Sequence, residues 1–249
     1  MGSIDSEVFA CIDCEMTGLD PQQDRVIEVA CALFKGGEIL ESFESLIDPG
    51  VPIPEASIKI HHITDMMVKG QPKIDDVLPT IISMVRKRII IGHGIAGDLA
   101  LLRSSAERAT ISFPIGDRTI DTFRLARLYG ESPTNSLNQL RQHFNIEAEG
   151  SHRALGDVKV NVQVFHYLAK RYKTTNELFN ALSKPIQLKA MPLGKYKGRP
   201  FAELPLNFLQ WAVRQQFDED LLYSIKLELG KRKSSSSFNQ AFNPFNHLD

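Results

Sequence analysis

Residues 8–15, VFACIDCE, place two acids at the end of a run of small and β-branched residues. Such a run fits a buried strand, and the turn signal TGLDPQQD that follows closes it. Along a strand, side chains two apart share a face and side chains three apart do not. Asp13 and Glu15 therefore point one way, while Cys11 and Cys14 point opposite ways. A redox or zinc C-x-x-C needs both sulfurs to converge, and Cys31 is the chain's one other cysteine. The cysteines read as small buried hydrophobes, and the acids carry the chemistry. Two like charges at the end of an apolar strand are costly unless something positive sits between them. A hard divalent cation with oxygen ligands is the natural candidate.

The rest of the chain supplies a sheet to hold that strand. VIEVACALF and ESFESLI read as two more strands joined by the turn KGGE. IPEASIKIHHIT and IDDVLPTIISMV have helical spacing, and RIIIGH suits a short central strand. AGDLALLRSSAERA reads as a helix with Asp98 in its first turn, where the helix dipole tolerates an acid. TIDTFRLARLYG, SLNQLRQHFNI and a long stretch beginning near Ser151 are helical and amphipathic. A strand meander followed by strand–helix alternation predicts an α/β fold, a mixed central sheet flanked by helices.

Composition excludes several classes. With 43% hydrophobic and 24% charged residues the chain is globular rather than disordered. No apolar run reaches the length of a membrane span, and the N-terminus lacks the shape of a signal peptide. An odd number of cysteines in a long chain points to a reducing compartment, so a cytoplasmic location is expected. The net charge of -1 is unevenly divided: residues 1–180 hold 19 Lys and Arg against 24 Asp and Glu, residues 181–249 hold 10 against 6. After Lys184 the texture turns rich in Pro, Gly and Lys, and two short helical stretches follow. The expected organisation is a main domain over 1–180, a small helical module over 181–232 and a disordered, low-complexity tail over 233–249. Lys195, Lys197 and Arg199, near Gly194 and Gly198, are candidates to contact a phosphate backbone. A solvated basic linker is the competing reading.

Three separated segments thus offer carboxylates that the ends of a sheet could gather: Asp13 with Glu15, Asp98 after RIIIGH, and Asp157 in SHRALGD, which also brings His152. In order and type, IDCEMTG, the acid after RIIIGH and H-x-A-x-x-D in HRALGD resemble the three exonuclease motifs of the DnaQ-like, DEDDh 3′–5′ exonucleases. RVIEVACALF, SIKIHHIT and TIDTFRLAR fall in the order that family shows, and the resemblance covers roughly residues 6 to 172. The C-terminal stretch resembles the small module of exodeoxyribonuclease X-like proteins. The resemblance implies an RNase H-like exonuclease fold and release of 5′-mononucleotides from 3′ ends. Asp13, Glu15, Asp98 and Asp157 would hold two Mg²⁺ or Mn²⁺ ions about 3.5–4 Å apart. His152 would act as general base, and Met16, Thr17 and His61 would contact the terminal nucleotide.

Implied partners are DNA, single-stranded or at 3′ ends, a DNA polymerase or repair protein, and a second copy of the chain. DCEMTGLDP also looks like oligoribonuclease, which keeps RNA open as a substrate, and an inactive, nucleic-acid-binding accessory protein is the alternative outside enzymes. The family usually reads H-N-x-x-F-D in its second motif; Gly94 and Gly97 stand where Asn and Phe are expected, while the Asp is kept. That departure implies retained metal binding and an altered substrate fit. Glu28 reads either as an acid supporting the site or contacting a sugar, or as a strand-end surface acid. His61 reads as lining the same pocket, against helix capping or surface placement for the pair His61 and His62. Tyr129 and Trp211 read either as stacking on bases or as packing in the core, with core packing the expectation for each.

Overall fold

The computed structural model describes residues 3–114, 118–129, 134–147 and 153–241, with side chains described as far as residue 234. Two units partition the chain between Asn180 and Ala181. In the first, strand β1 (Phe9–Met16) lies between β2 (Val26–Lys35), antiparallel to it, and β4 (Ile90–Gly92), parallel to it. With β3 (Glu38–Leu46) and β5 (Thr119–Asp121) at the edges, the order is β3-β2-β1-β4-β5. The β2–β3 turn is made by Gly36 and Gly37, both at positive φ, which is the backbone a two-residue hairpin requires. Parallel pairing of β1 with β4 needs a crossover. It contains α1 (Glu55–His61), α2 (Asp65–Val68) and α3 (Ile74–Val85).

Alternation along β1 divides the packing between two layers. Ala10, Ile12 and Cys14 face a cluster with Val77, Leu78 and Ile81 of α3 and with Leu99, Leu101 and Leu102 of α4 (Ala96–Arg108). Cys11 lies on the opposite face, where its thiol reaches the Val158 carbonyl of α7 (Ala154–Ala169) at 3.9 Å. There Phe9, Phe34 and Phe165 form a buried aromatic trio. All three cysteines are free and buried, and burial holds each thiol well above its ordinary pKa. They are small hydrophobes.

Between β4 and α7 come α5 (Thr122–Tyr129) and α6 (Leu137–His143), and α8 (Thr175–Leu182) follows α7. TID in TIDTFRLARLYG forms β5 rather than the first turn of a helix. It is too short to carry its own signal and is defined by pairing Thr119, Ile120 and Asp121 with Ile90, Ile91 and Gly92. Tyr129 is half-buried, under the Arg171 guanidinium at 4.1 Å.

The second unit has its own core of Met191, Phe201, Leu204, Leu209, Ala212, Leu221 and Ile225. It contains α9 (Leu206–Ala212) and α10 (Glu219–Ala241). Arg232 donates to the carbonyls of Phe201, Ala202 and Leu204, tying α10 to the short helical turn Phe201–Glu203. α10 runs on to Ala241, past residue 233, where the sequence reading begins a disordered tail. No proline interrupts that stretch before Pro244, so serine-rich composition lowers helix propensity there without breaking the helix. Among the described residues no helix is long and apolar enough to cross a membrane.

Candidate metal centre

The end of β1 meets the first turn of α7. Asp13 and Glu15, on one face of β1, and Asp157, in the first turn of α7, present carboxylate oxygens within 4.8 Å of one another. Asp98, in the first turn of α4, stands outside that trio. Its carboxylate accepts the Cys14 amide at 2.9 Å, which fixes it beside the same strand end, and only 8% of the residue is exposed.

The electrostatics mark these acids as one group. Burial holds the Asp13 carboxyl well above its ordinary pKa, and the charges of Asp98, Asp157, Glu15 and Glu28 push it the same way. Glu15 is raised to about 7, by burial and then by Asp157, Glu28 and Asp98, with Arg153 opposing. Asp98 is likewise raised to about 7, chiefly by burial. Buried and half-buried carboxylates gathered so closely raise one another's pKa, and an all-oxygen set of this kind fits a hard divalent cation. Asp13, Glu15 and Asp157 could hold such an ion between them, with Asp98 fixed beside the same strand end.

Glu28 lies directly across the β1–β2 ladder from Glu15, and only 1% of it is exposed. One of its oxygens receives both Nε and Nη2 of Arg153, at 2.8 and 2.6 Å, and the other receives the Ala154 amide at 3.0 Å. The surface reading of Glu28 is therefore wrong: the residue ties β2 to the N-terminus of the helix that carries Asp157. Sequence reasoning did not single out Arg153. The available signal was a lone acid inside the apolar run VIEVACALF, which demands a buried donor.

His152 lies outside the described residues; its neighbour Arg153 is the residue that Glu28 holds. Thr17 is buried, and its groups are bonded within the protein: the amide to the Arg25 carbonyl, the hydroxyl to Asp24, the carbonyl to Ser57. Met16 is half-buried against the β1 core. His61 is buried, its Nδ1 accepts the Ile63 amide at 3.0 Å, and its Nε2 has no hydrogen-bond partner among the described residues. Burial keeps its pKa below the ordinary value, which favours the neutral ring. His62 closes α1 in the left-handed conformation, as its capping reading requires. Lys195, Lys197 and Arg199 are exposed on a loop of the second unit, away from its hydrophobic core.

At the second-motif departure, Gly94 has φ +72 and donates its amide to Asp121 at 2.8 Å. Gly97 lies in the first turn of α4 with open space where a side chain would begin.

Comparison with known proteins places this centre in a family. The model of the family described as "Exonuclease" matches residues 10–165, more than half of the chain, and the chain belongs to that family. A second family model, described as "Putative quorum-sensing-regulated virulence factor", matches residues 180–227. DNA polymerase III subunit epsilon of Aquifex aeolicus is 33% identical over 158 residues, 63% of this chain and 78% of that protein. DNA polymerase III PolC-type of Clostridium perfringens is 31% identical over 200 residues, 77% of this chain, which spans only 14% of that relative's length. Among solved structures, exonuclease X in complex with 5′ overhanging duplex DNA has a TM-score of 0.58 at 24% identity, covering 71% of this chain and 99% of that one. Exonuclease I has a TM-score of 0.61 at 19% identity, covering 71% and 43%. The mixed five-stranded sheet flanked by helices is thus the RNase H-like exonuclease fold expected from the sequence.

Proposed function

We propose that the chain is a metal-dependent 3′–5′ exonuclease that hydrolyses phosphodiester bonds at the 3′ end of DNA and releases 5′-mononucleotides. The observation that carries this reading is the convergence of Asp13, Glu15 and Asp157 within 4.8 Å, with Asp98 charged into the same group. Two Mg²⁺ or Mn²⁺ ions bound there would supply an activated water and stabilise charge developing on the leaving 3′-oxygen. The chain's own residues do the rest. Asp13, Glu15, Asp98 and Asp157 hold the cations. His152 accepts the proton of the attacking water, a role that suits an imidazole. Glu28 and Arg153 keep the start of α7 in place, and with it Asp157. Met16 and His61 border the place of the terminal nucleotide, and Lys195, Lys197 and Arg199 contact the backbone of the strand.

The polymerase III relatives support a role in replication or repair beside a polymerase; a cytoplasmic location and a homodimer complete the proposal. The test is to incubate the purified protein with 5′-labelled single-stranded DNA and matching RNA, with Mn²⁺ or EDTA, beside an Asp157→Ala control. The expected result is a ladder shortening from the 3′ end, dependent on Mn²⁺, faster on DNA and absent in the variant. Retained binding with no hydrolysis under any metal would overturn it.

A further inference from the structure

Trp211 breaks the sequence expectation that it packs in the core. It is 53% exposed and lies outside the hydrophobic cluster of the second unit. α9 explains this: Leu209 and Ala212 fill the core and Phe208 packs half-buried against it, while Trp211, three residues on from Phe208, is left exposed. Phe208 in turn meets Tyr196, from the loop before it. Their ring centroids are 4.6 Å apart, and those of Phe208 and Trp211 are 5.7 Å apart. Lys195 Nζ sits 4.8 Å from the centre of the Tyr196 ring. A cation and three aromatic rings therefore stand in one connected row, ending in an exposed indole.

The loop beside the row is built to hold charge outward. Gly194 and Gly198 take positive φ, the Met191 amide donates to the Arg199 carbonyl and the Gly198 amide to the Met191 carbonyl. That tight turn leaves Lys195, Lys197 and Arg199 exposed, and no acidic residue occurs between Lys184 and Arg199.

We propose that the row Tyr196–Phe208–Trp211, with Lys195, Lys197 and Arg199, is a stacking platform for the unpaired bases of a single-stranded nucleic acid. The exposed indole, backed by the half-buried Phe208 and Tyr196 rings, takes any base and neighbouring cations take its phosphates, which is the chemistry of single-strand binding without sequence preference. A duplex keeps its bases stacked on one another and offers this surface only its phosphates. The inference extends the nuclease reading by naming a second, non-catalytic contact for the strand, and rests on that reading for the choice of a nucleic acid over a protein partner.

Trp211 is the only tryptophan of the chain, so its emission reports on this surface alone. The full chain is titrated in EDTA, where no hydrolysis occurs, with oligothymidylate, an abasic strand of the same length and a blunt duplex. Binding is followed in parallel by the anisotropy of labelled strands. Oligothymidylate is expected to quench Trp211 saturably, and the abasic strand and the duplex to quench it little. By anisotropy, Trp211→Ala should weaken oligothymidylate binding on the order of ten- to a hundredfold. Trp211→Phe should recover most of that loss, and Lys195→Glu should weaken binding without removing the quench at saturation. Equal quenching by the abasic strand would overturn the proposal in favour of phosphate contact alone. Strand binding with unchanged emission would place the strand elsewhere, and no nucleic-acid binding at all would leave the surface to a protein partner. Quenching that persists in a protein with no hydrolytic activity would sink the nuclease reading and leave this one standing.

Discussion

Asp13, Glu15 and Asp98 carry an unusual sign in their pH dependence. A carboxylate paired with a cation usually sits below its ordinary pKa and stabilises a protein as pH rises. Here burial holds all three above it, helped by neighbouring acids at Asp13 and Glu15 and by Asp121 at Asp98, with Glu15 and Asp98 raised to about 7. Between roughly pH 4 and 7 the folded chain therefore binds more protons than the unfolded chain, and stability falls as pH rises. In EDTA the melting temperature should drop from pH 5 to pH 7, and Asp13→Asn should raise it at pH 7 by removing one repelling charge. Mn²⁺ should reverse the order. At a hundredfold its dissociation constant it adds about 2.7 kcal/mol, or roughly 5–10 °C, and the gain should grow with pH and shrink in the variant. A melting temperature in EDTA that climbs from pH 5 to pH 7, with no response to Mn²⁺, would show that these acids do not form a cation site. The acids themselves were legible in the sequence, because period-two alternation puts Asp13 and Glu15 on one face whatever the tertiary structure. Glu28 and Arg153 were not. Their contact spans 125 positions and depends on the register that sets Glu28 across from Glu15 and on where α7 begins.

Elements with local chemistry were the readable ones. KGGE specifies a hairpin because two adjacent glycines supply the positive φ values its turn needs, and the structure has them at Gly36 and Gly37. β5 could not be read, since three residues become a strand only beside β4, and α10 outlasts its apolar pattern because nothing in 233–241 stops it. The loop from β4 into α4 gives a test at this scale. Gly94 and Gly97 look like equivalent departures from the family motif, yet their backbones differ. Gly94 needs a left-handed conformation, so Gly94→Ala should cost about 1–2 kcal/mol. Gly97 is helical with free space around it, so Gly97→Ala should stabilise by about 0.5–1 kcal/mol. Thermal melts of the two variants in EDTA should shift in opposite directions; shifts of the same sign would show that the loop is not held as described.

At the scale of the whole molecule, the chain joins an acidic unit to a basic one. Residues 1–180 carry 24 acidic against 19 basic side chains and residues 181–249 carry 6 against 10, a contrast of -5 with +4 that the near-neutral total conceals. The sequence showed that contrast plainly but misjudged Trp211, because a short helix as apolar as LNFLQWA does not declare which residues its own core will take. An acidic catalytic unit without its cations repels a phosphate backbone, so the basic unit should supply most of the salt-sensitive affinity for a strand. Each phosphate neutralised on a single strand contributes about 0.7 to the slope of log affinity against log salt. Replacing Lys195, Lys197 and Arg199 together by Ala should therefore flatten that slope by about 2 for single-stranded DNA, measured in EDTA on the full chain. If the triple variant binds more weakly with an unchanged slope, these residues act through the shape of their loop rather than through phosphates. If neither affinity nor slope changes, the strand is held by the nuclease unit alone and the basic run is a solvated face.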